Sequence, residues 1–192
     1  MPRQNHKLLI ISLKNFKHAL RALDHFKKKA LENKTAIDLG CGNGKDTLFL
    51  LSEGWNVYAI DASIESMKIM ETNIPKTLKE NLILACVTFN EVKWRHVQFV
   101  NASLSLPFCE EKNFPEVWKN ITDSIVSGGI FAGHFFGVND DWKQLFLIEK
   151  KDLENLLVDF DILYFGEKEF DKPSLTGPEK HWHIFEVIAK KK

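Results

Sequence analysis

The sequence predicts an α/β fold, an open, doubly wound sheet with helices on its faces. Three observations predict it. Short apolar runs alternate with amphipathic segments along most of the chain, the pattern of strands and crossover helices. Within that pattern, Thr35–Ser63 reads as strand, glycine turn, helix and strand, which is the repeating unit of a parallel sheet. An acidic residue, Asp61, closes the second strand roughly 20 residues beyond the turn, where in such a sheet it meets a ribose edge.

At 192 residues and 44% hydrophobic content, the chain has the length and composition for one domain with a substantial core. Residues 1–33 read as a leading helical cover and residues 34–192 as the core. In the cover, Leu9, Leu13, Phe16, Leu20 and Leu23 recur at helical spacing, and its start is a candidate lid over a ligand. Lysine plus arginine and aspartate plus glutamate number 26 each, so no global field draws the chain to nucleic acid or an anionic membrane. The expected partner is a small molecule. Cys41, Cys86 and Cys109 form no C-x-x-C pair and read as reduced thiols, with a cytoplasmic location expected. The apolar run Leu8–Leu13 is too short to span a membrane.

The turn itself reads Asp38-Leu39-Gly40-Cys41-Gly42-Asn43-Gly44. A dinucleotide turn follows G-x-G-x-x-G, its third glycine placed for helix packing under a pyrophosphate, whereas here the spacing is G-x-G-x-G. The string resembles motif I of the class I S-adenosylmethionine-dependent methyltransferases, with Asp61 matching that family's ribose-binding acid. The cofactor so implied has no pyrophosphate but a zwitterionic methionine end. Asp38 and Asp46 would repel the first and suit the ammonium of the second.

The resemblance extends from Thr35 to the end of the chain. It implies a Rossmann-like sheet of seven strands, order 3-2-1-4-5-7-6, with the seventh antiparallel. It also implies a cofactor site drawn from Asp38, Gly40, Cys41, Gly42, Asn43, Gly44 and Asp46, then Asp61, Ala62 and Ser63. Ser63 caps the helix carrying Ile64, Met67 and Met70. After the third strand, Leu82–Cys86, Thr88 stands where the family usually has an acid and Phe89 where an apolar residue meets the adenine. Asn101, Ala102 and Ser103 close the fourth strand, at the edge where ligands bind in open α/β sheets. Leu106-Pro107-Phe108 resembles the L-P-F of small-molecule methyltransferases and does not match the N-P-P-aromatic signature of amide methylation.

Phe114, Val117, Ile121 and Ile125 form a helix that Ser127-Gly128-Gly129 is expected to stop before a fifth strand, Ile130–Phe136. His134 lies near the carboxyl end of that strand, an unusual place for a histidine, and is the candidate catalytic residue for orienting or deprotonating an acceptor. A helix over 151–160, a strand over 162–165, a loop over 173–178 and a terminal strand from His181 to Ala189 complete the chain. His181 and His183 share one strand face, but no third ligand of suitable spacing is evident in the sequence, so no metal site is expected.

The activity implied is methyl transfer from S-adenosylmethionine to a small-molecule acceptor, leaving S-adenosylhomocysteine, with loose similarity to tellurite-resistance and thiopurine-type enzymes. Two alternatives stand beside it: a cofactor-binding protein without catalysis, and a nicotinamide-dependent oxidoreductase. The missing third glycine argues against the oxidoreductase.

Overall fold

The computed structural model describes residues 17–26, 33–174 and 177–192. Leu9, Leu13 and Phe16 of the leading helix, and with them the candidate lid, lie outside those residues. The described part of that helix, α1 (Lys17–Asp24), buries Ala19, Ala22 and Leu23, and Phe26 beyond its end is buried too. Leu20 instead points outward, because the face in contact with the sheet is the one carrying the two small alanines.

Parallel strands β1 (Thr35–Leu39), β2 (Asn56–Asp61), β3 (Leu82–Cys86) and β4 (Val97–Ala102) form one half of the sheet. Strand β5 (Ile125–Gly137) continues it in parallel, with a two-residue strand, β6 (Leu147–Ile148), beside its end. The chain then makes a long hairpin of β7 (Phe160–Pro173) and β8 (Glu179–Lys191). The sheet order is β3-β2-β1-β4-β5-β8-β7. With β6 set aside this is the expected order, and β8 is the antiparallel strand, pairing β5 on one side and β7 on the other. Helices α2 (Lys45–Ser52), α3 (Ile64–Asn73), α4 (Phe114–Ser124) and α5 (Lys150–Leu156) follow in chain order.

Two apolar clusters, one on each face, hold the helices. Ile37, Leu39, Val100, Phe131, Phe135 and Phe185 meet Phe114, Trp118 and Ile121 of α4. Ala36, Phe99, Ile130 and Ala132 meet Ala19, Ala22 and Phe26 with Leu50 and Trp55. Alternate residues of one strand feed opposite clusters, as period-two side chains must.

Several boundaries differ from the sequence reading. Ser127-Gly128-Gly129 lies inside β5, not before it: α4 ends at Ser124, and Ile125 already pairs with Val97. The pairing then jumps to Phe99 and Ile130, so the extra residues bulge, with Gly128 at φ 78°. A Cβ on Gly129 would lie 2.8 Å from the Gln98 carbonyl oxygen, which explains why the bulge needs that glycine. Ile64 is exposed, whereas Met67 and Met70 are buried as expected.

Strands β7 and β8 are much longer than the runs read from the sequence. Their pairing continues to Pro173 and Glu179, past the last β5 pair, Phe136 with Ile184. The projecting part is braced by the segment after β5. Asp140, fully buried, accepts hydrogen bonds from the N–H of Trp142 and of His183 and pairs with Lys180. The Lys180 ammonium sits 3.8 Å and 3.9 Å from the ring centroids of Trp182 and Trp142. A buried ion pair gains little over an apolar pair, but losing one partner strands the other charge. Lys180→Ala should therefore lower stability by about 3–5 kcal/mol, read by chemical denaturation, while Lys180→Met combined with Asp140→Asn should recover part of that loss.

Candidate functional site

A cleft of about 430 Å³ opens at the carboxyl edge of β1, β2, β3 and β4. Gly40, Asp61, Ala62, Thr88 and Phe89, all expected at the site, line it. Val87, Asn90, Leu104, Ser105, Phe108, Cys109, Glu110 and Asn113 line it as well and were not read as site residues. Apart from Phe108, which belongs to the Leu106-Pro107-Phe108 string, their linear signal is position, in the connections that follow β3 and β4.

The glycine turn is shaped as much by its protein neighbours as by open space. A Cβ on Gly40 would fall 2.3 Å from Cβ of Ser105, whose hydroxyl bonds the Leu39 carbonyl oxygen. Gly42, at φ 53°, has nothing within 4 Å of the same point, so here the backbone is bare toward the open side. Its N–H donates to Asp61 Oδ2 at 2.8 Å, and the Ser63 N–H donates to Oδ1 at 2.8 Å. These two bonds fix the Asp61 carboxylate at the cleft wall, with its remaining lone pairs outward. Ser63 in turn caps α3, its hydroxyl accepting from the Ser66 N–H.

Asp38, Asp46 and Asn101 come together beside the turn. Asp38 is 1% exposed, accepting from the Thr47 hydroxyl at 2.6 Å and from the Asn101 amide at 2.8 Å. The same amide nitrogen lies 3.2 Å from Asp46 Oδ2. Asn101 Oδ1 is buried with no hydrogen-bond partner among the described residues. Burial, and then the Asp46 carboxylate, raise the pKa of Asp38 to about 7, although the bonds from Thr47 and Asn101 pull the other way. Thr47 was not anticipated, because the hydrogen bond it makes to Asp38 spans two elements.

Asn43 is exposed at the tip of the turn, and Ala102 and Ser103 follow Asn101 at the end of β4. Cys41 is buried against Met67, and burial together with Asp38 and Asp61 pushes its thiol far up, which makes it a poor nucleophile. Thr88 caps the short turn that follows: its N–H and hydroxyl both bond Glu91.

His134 does not line the cleft. It stands opposite Glu186 on the β5–β8 ladder, on the side that α1 covers, where Glu186 accepts from Arg21 of α1 and from Lys168. His181 and His183 lie on the projecting hairpin, also away from the cleft. Trp142 is the link between that region and the cleft, its ring meeting Phe108 edge to face at 6.3 Å.

Residues 23–133 match the family model described as tellurite resistance protein TehB. The chain belongs to the TehB family. Solved structures share its fold. TehB from Haemophilus influenzae superposes with a TM-score of 0.73 at 21% identity, over 90% of this chain and 62% of that one. This TehB-family chain thus spans under two thirds of the H. influenzae protein. A SAM-dependent methyltransferase from Methanosarcina mazei gives 0.66 at 20% identity, over 85% and 95% of the two chains. The Burkholderia thailandensis 1,6-didemethyltoxoflavin-N1-methyltransferase, solved with bound 1,6-didemethyltoxoflavin and S-adenosylhomocysteine, gives 0.66 at 15% identity, over 92% and 77%. No curated protein sequence matches the chain. None of its described helices is long and apolar enough to cross a membrane.

The raised pKa of Asp38 has a measurable consequence for this TehB-family site. The folded value lies above the 3.8 of the free side chain, so the native state holds a proton that the unfolded chain has lost. The contribution of Asp38 to stability is fully present below about pH 4 and is lost as pH rises through about 7. Without ligand, the melting temperature should fall between about pH 5 and pH 8, and Asp38→Asn should flatten that fall.

Proposed function

We propose that the chain is an S-adenosylmethionine-dependent methyltransferase acting on a small molecule. The observation that carries this reading is the placement of Asp38, Asp46 and the unpartnered Asn101 Oδ1 beside a bare glycine turn, with Asp61 held by the Gly42 N–H of that same turn. An ammonium group suits the Asp46 carboxylate, an Asp38 that gives up its proton beside a cation, and an unpartnered carbonyl oxygen, whereas a pyrophosphate would be repelled by the carboxylates. The residues present therefore fit the cofactor and disfavour a dinucleotide. Asp38, Asp46 and Asn101 would hold its ammonium, Asp61 its ribose hydroxyls, and Phe89 the face of its adenine.

When bound, the cofactor supplies a methyl group on a sulfonium already activated for in-line displacement. The chain then has to align the acceptor and keep water out. Leu104, Phe108 and Cys109 give the cleft an apolar wall next to the turn, as small-molecule sites generally have. His134, at the carboxyl end of β5 under α1, would orient the acceptor or take its proton. This role needs the acceptor to reach the α1 side of the sheet edge.

Titration calorimetry should detect binding of S-adenosylmethionine and none of NAD, and a panel of small acceptors should yield S-adenosylhomocysteine with at least one. Loss of Asp61 removes charge-assisted bonds to the ribose, so Asp61→Ala should weaken S-adenosylmethionine binding by roughly 1.5–3 kcal/mol in the same titration. His134→Ala should leave cofactor affinity nearly unchanged and slow methyl transfer by a factor on the order of 10²–10⁴ if His134 is a general base. Intact turnover with a lowered melting temperature would assign it to packing instead.

A further inference from the structure

We propose that Glu167, Glu169 and His183 form a binding site for a divalent transition-metal ion of the zinc type, on the projecting hairpin and apart from the methyl-transfer site. None of the three lines the cleft. One ligand atom from each lies within 4.8 Å of the others. The linear spacing of His181 and His183 hides this, because the further ligands come from the neighbouring strand. Glu169 pairs directly with His183 and Glu167 stands two residues along, so all three side chains share one face of the hairpin.

His183 is the built part of the site. It is 4% exposed, and its ring lies so close over Gly137 that a Cβ there would meet it at 2.2 Å. Its Nε2 sits 3.2 Å from Glu167 Oε1 and 3.7 Å from Glu169 Oε1. Ligand atoms each about 2.0–2.2 Å from a tetrahedral zinc ion are roughly 3.4 Å apart, so the third separation closes by small rotations of two exposed glutamates. One imidazole with two carboxylates is a zinc-type donor set, whereas calcium and magnesium take oxygen alone. The outer groups brace the ligands: Lys150 holds Glu167 Oε2 at 2.9 Å, and Asn139 and His181 hold Glu169 at 3.2 Å and 3.1 Å. His181 is itself tied to Asp171.

The Asn139 N–H points at His183 Nδ1 at 3.3 Å, so without an ion the ring carries its proton on Nε2 and donates it to Glu167. An ion at Nε2 takes that proton's place. The proton moves to Nδ1, the ring stays neutral and releases none, and the Asn139 N–H loses its acceptor. Metal binding is thereby coupled to the segment that runs from Asn139 to Trp142, the residue that touches Phe108 at the cleft.

Zinc chloride titrated into the full chain, followed by calorimetry and by imidazole nitrogen NMR, tests this. The expected result is one saturable ion, with His183 passing from the Nε2–H to the Nδ1–H tautomer. Glu167→Gln and Glu169→Gln, at exposed positions that leave the fold intact by circular dichroism, should each weaken zinc binding at least about tenfold. Asp171→Asn, at a side chain that bonds His181 and none of the three ligands among the described residues, should leave it within about twofold. The proposal is overturned if zinc gives no saturable binding. It is equally overturned if both glutamine variants bind as tightly as the parent with no change at His183, which would place the ion at another group such as the exposed Cys86.

Discussion

The buried carboxylate of Asp38 is the constraint on which the cleft depends. It stands next to last in β1 with almost no access to water, and a carboxylate there must be bonded or protonated. The chain does both. Thr47 brings in α2, Asn101 brings in β4, and burial, reinforced by the Asp46 carboxylate, keeps a proton bound up to about pH 7. One side chain thus ties together the strand before the turn, the helix after it and the neighbouring strand. The turn between them has little freedom left, and its Gly42 N–H is aimed at Asp61.

The other end of the sheet is organised by a second buried charge. Lys180 and Asp140 pair inside an aromatic enclosure of Phe136, Trp142 and Trp182, and that pair clamps the segment after β5 against the projecting hairpin. The clamp explains why two strands can continue beyond the sheet: one side is covered by the segment over 138–142, with Asp141 and His181 exchanging backbone and side-chain bonds. Trp142 carries the packing from this clamp to Phe108 at the cleft, so the hairpin and the cleft are mechanically contiguous even though they share no lining residue.

Much of this was legible in the chain because its signals are local. The strand, turn, helix and strand from Thr35 to Ser63, the acid at Asp61, the capping of α3 by Ser63 and the order of the sheet all follow from short-range patterns or from a motif of contiguous residues. Gly42 could be assigned a bare backbone from its place in the motif. The length of β7 and β8 could not be read, because Glu167, Glu169 and Asp171 look like a solvated polar run until pairing sets them opposite histidines. Likewise Ser-Gly-Gly looks like a helix stop, and only the pairing of Ile125 with Val97 shows it as a bulge.

The sequence by itself therefore determined the fold class and the edge at which the cleft opens, since periodicity and turn chemistry act over a few residues, and the resemblance carried by its turn motif implied the strand order. Tertiary structure alone decided which side chains meet. It set Asn101 between Asp38 and Asp46, put His134 beside Glu186 on the side that α1 covers, enclosed Lys180 in three aromatic rings and gathered Glu167, Glu169 and His183 on one hairpin face. The reason is physical: hydrogen bonds and charges act over a few ångströms, and residues far apart in the chain come within that range only after strand register and the packing of the two faces are settled.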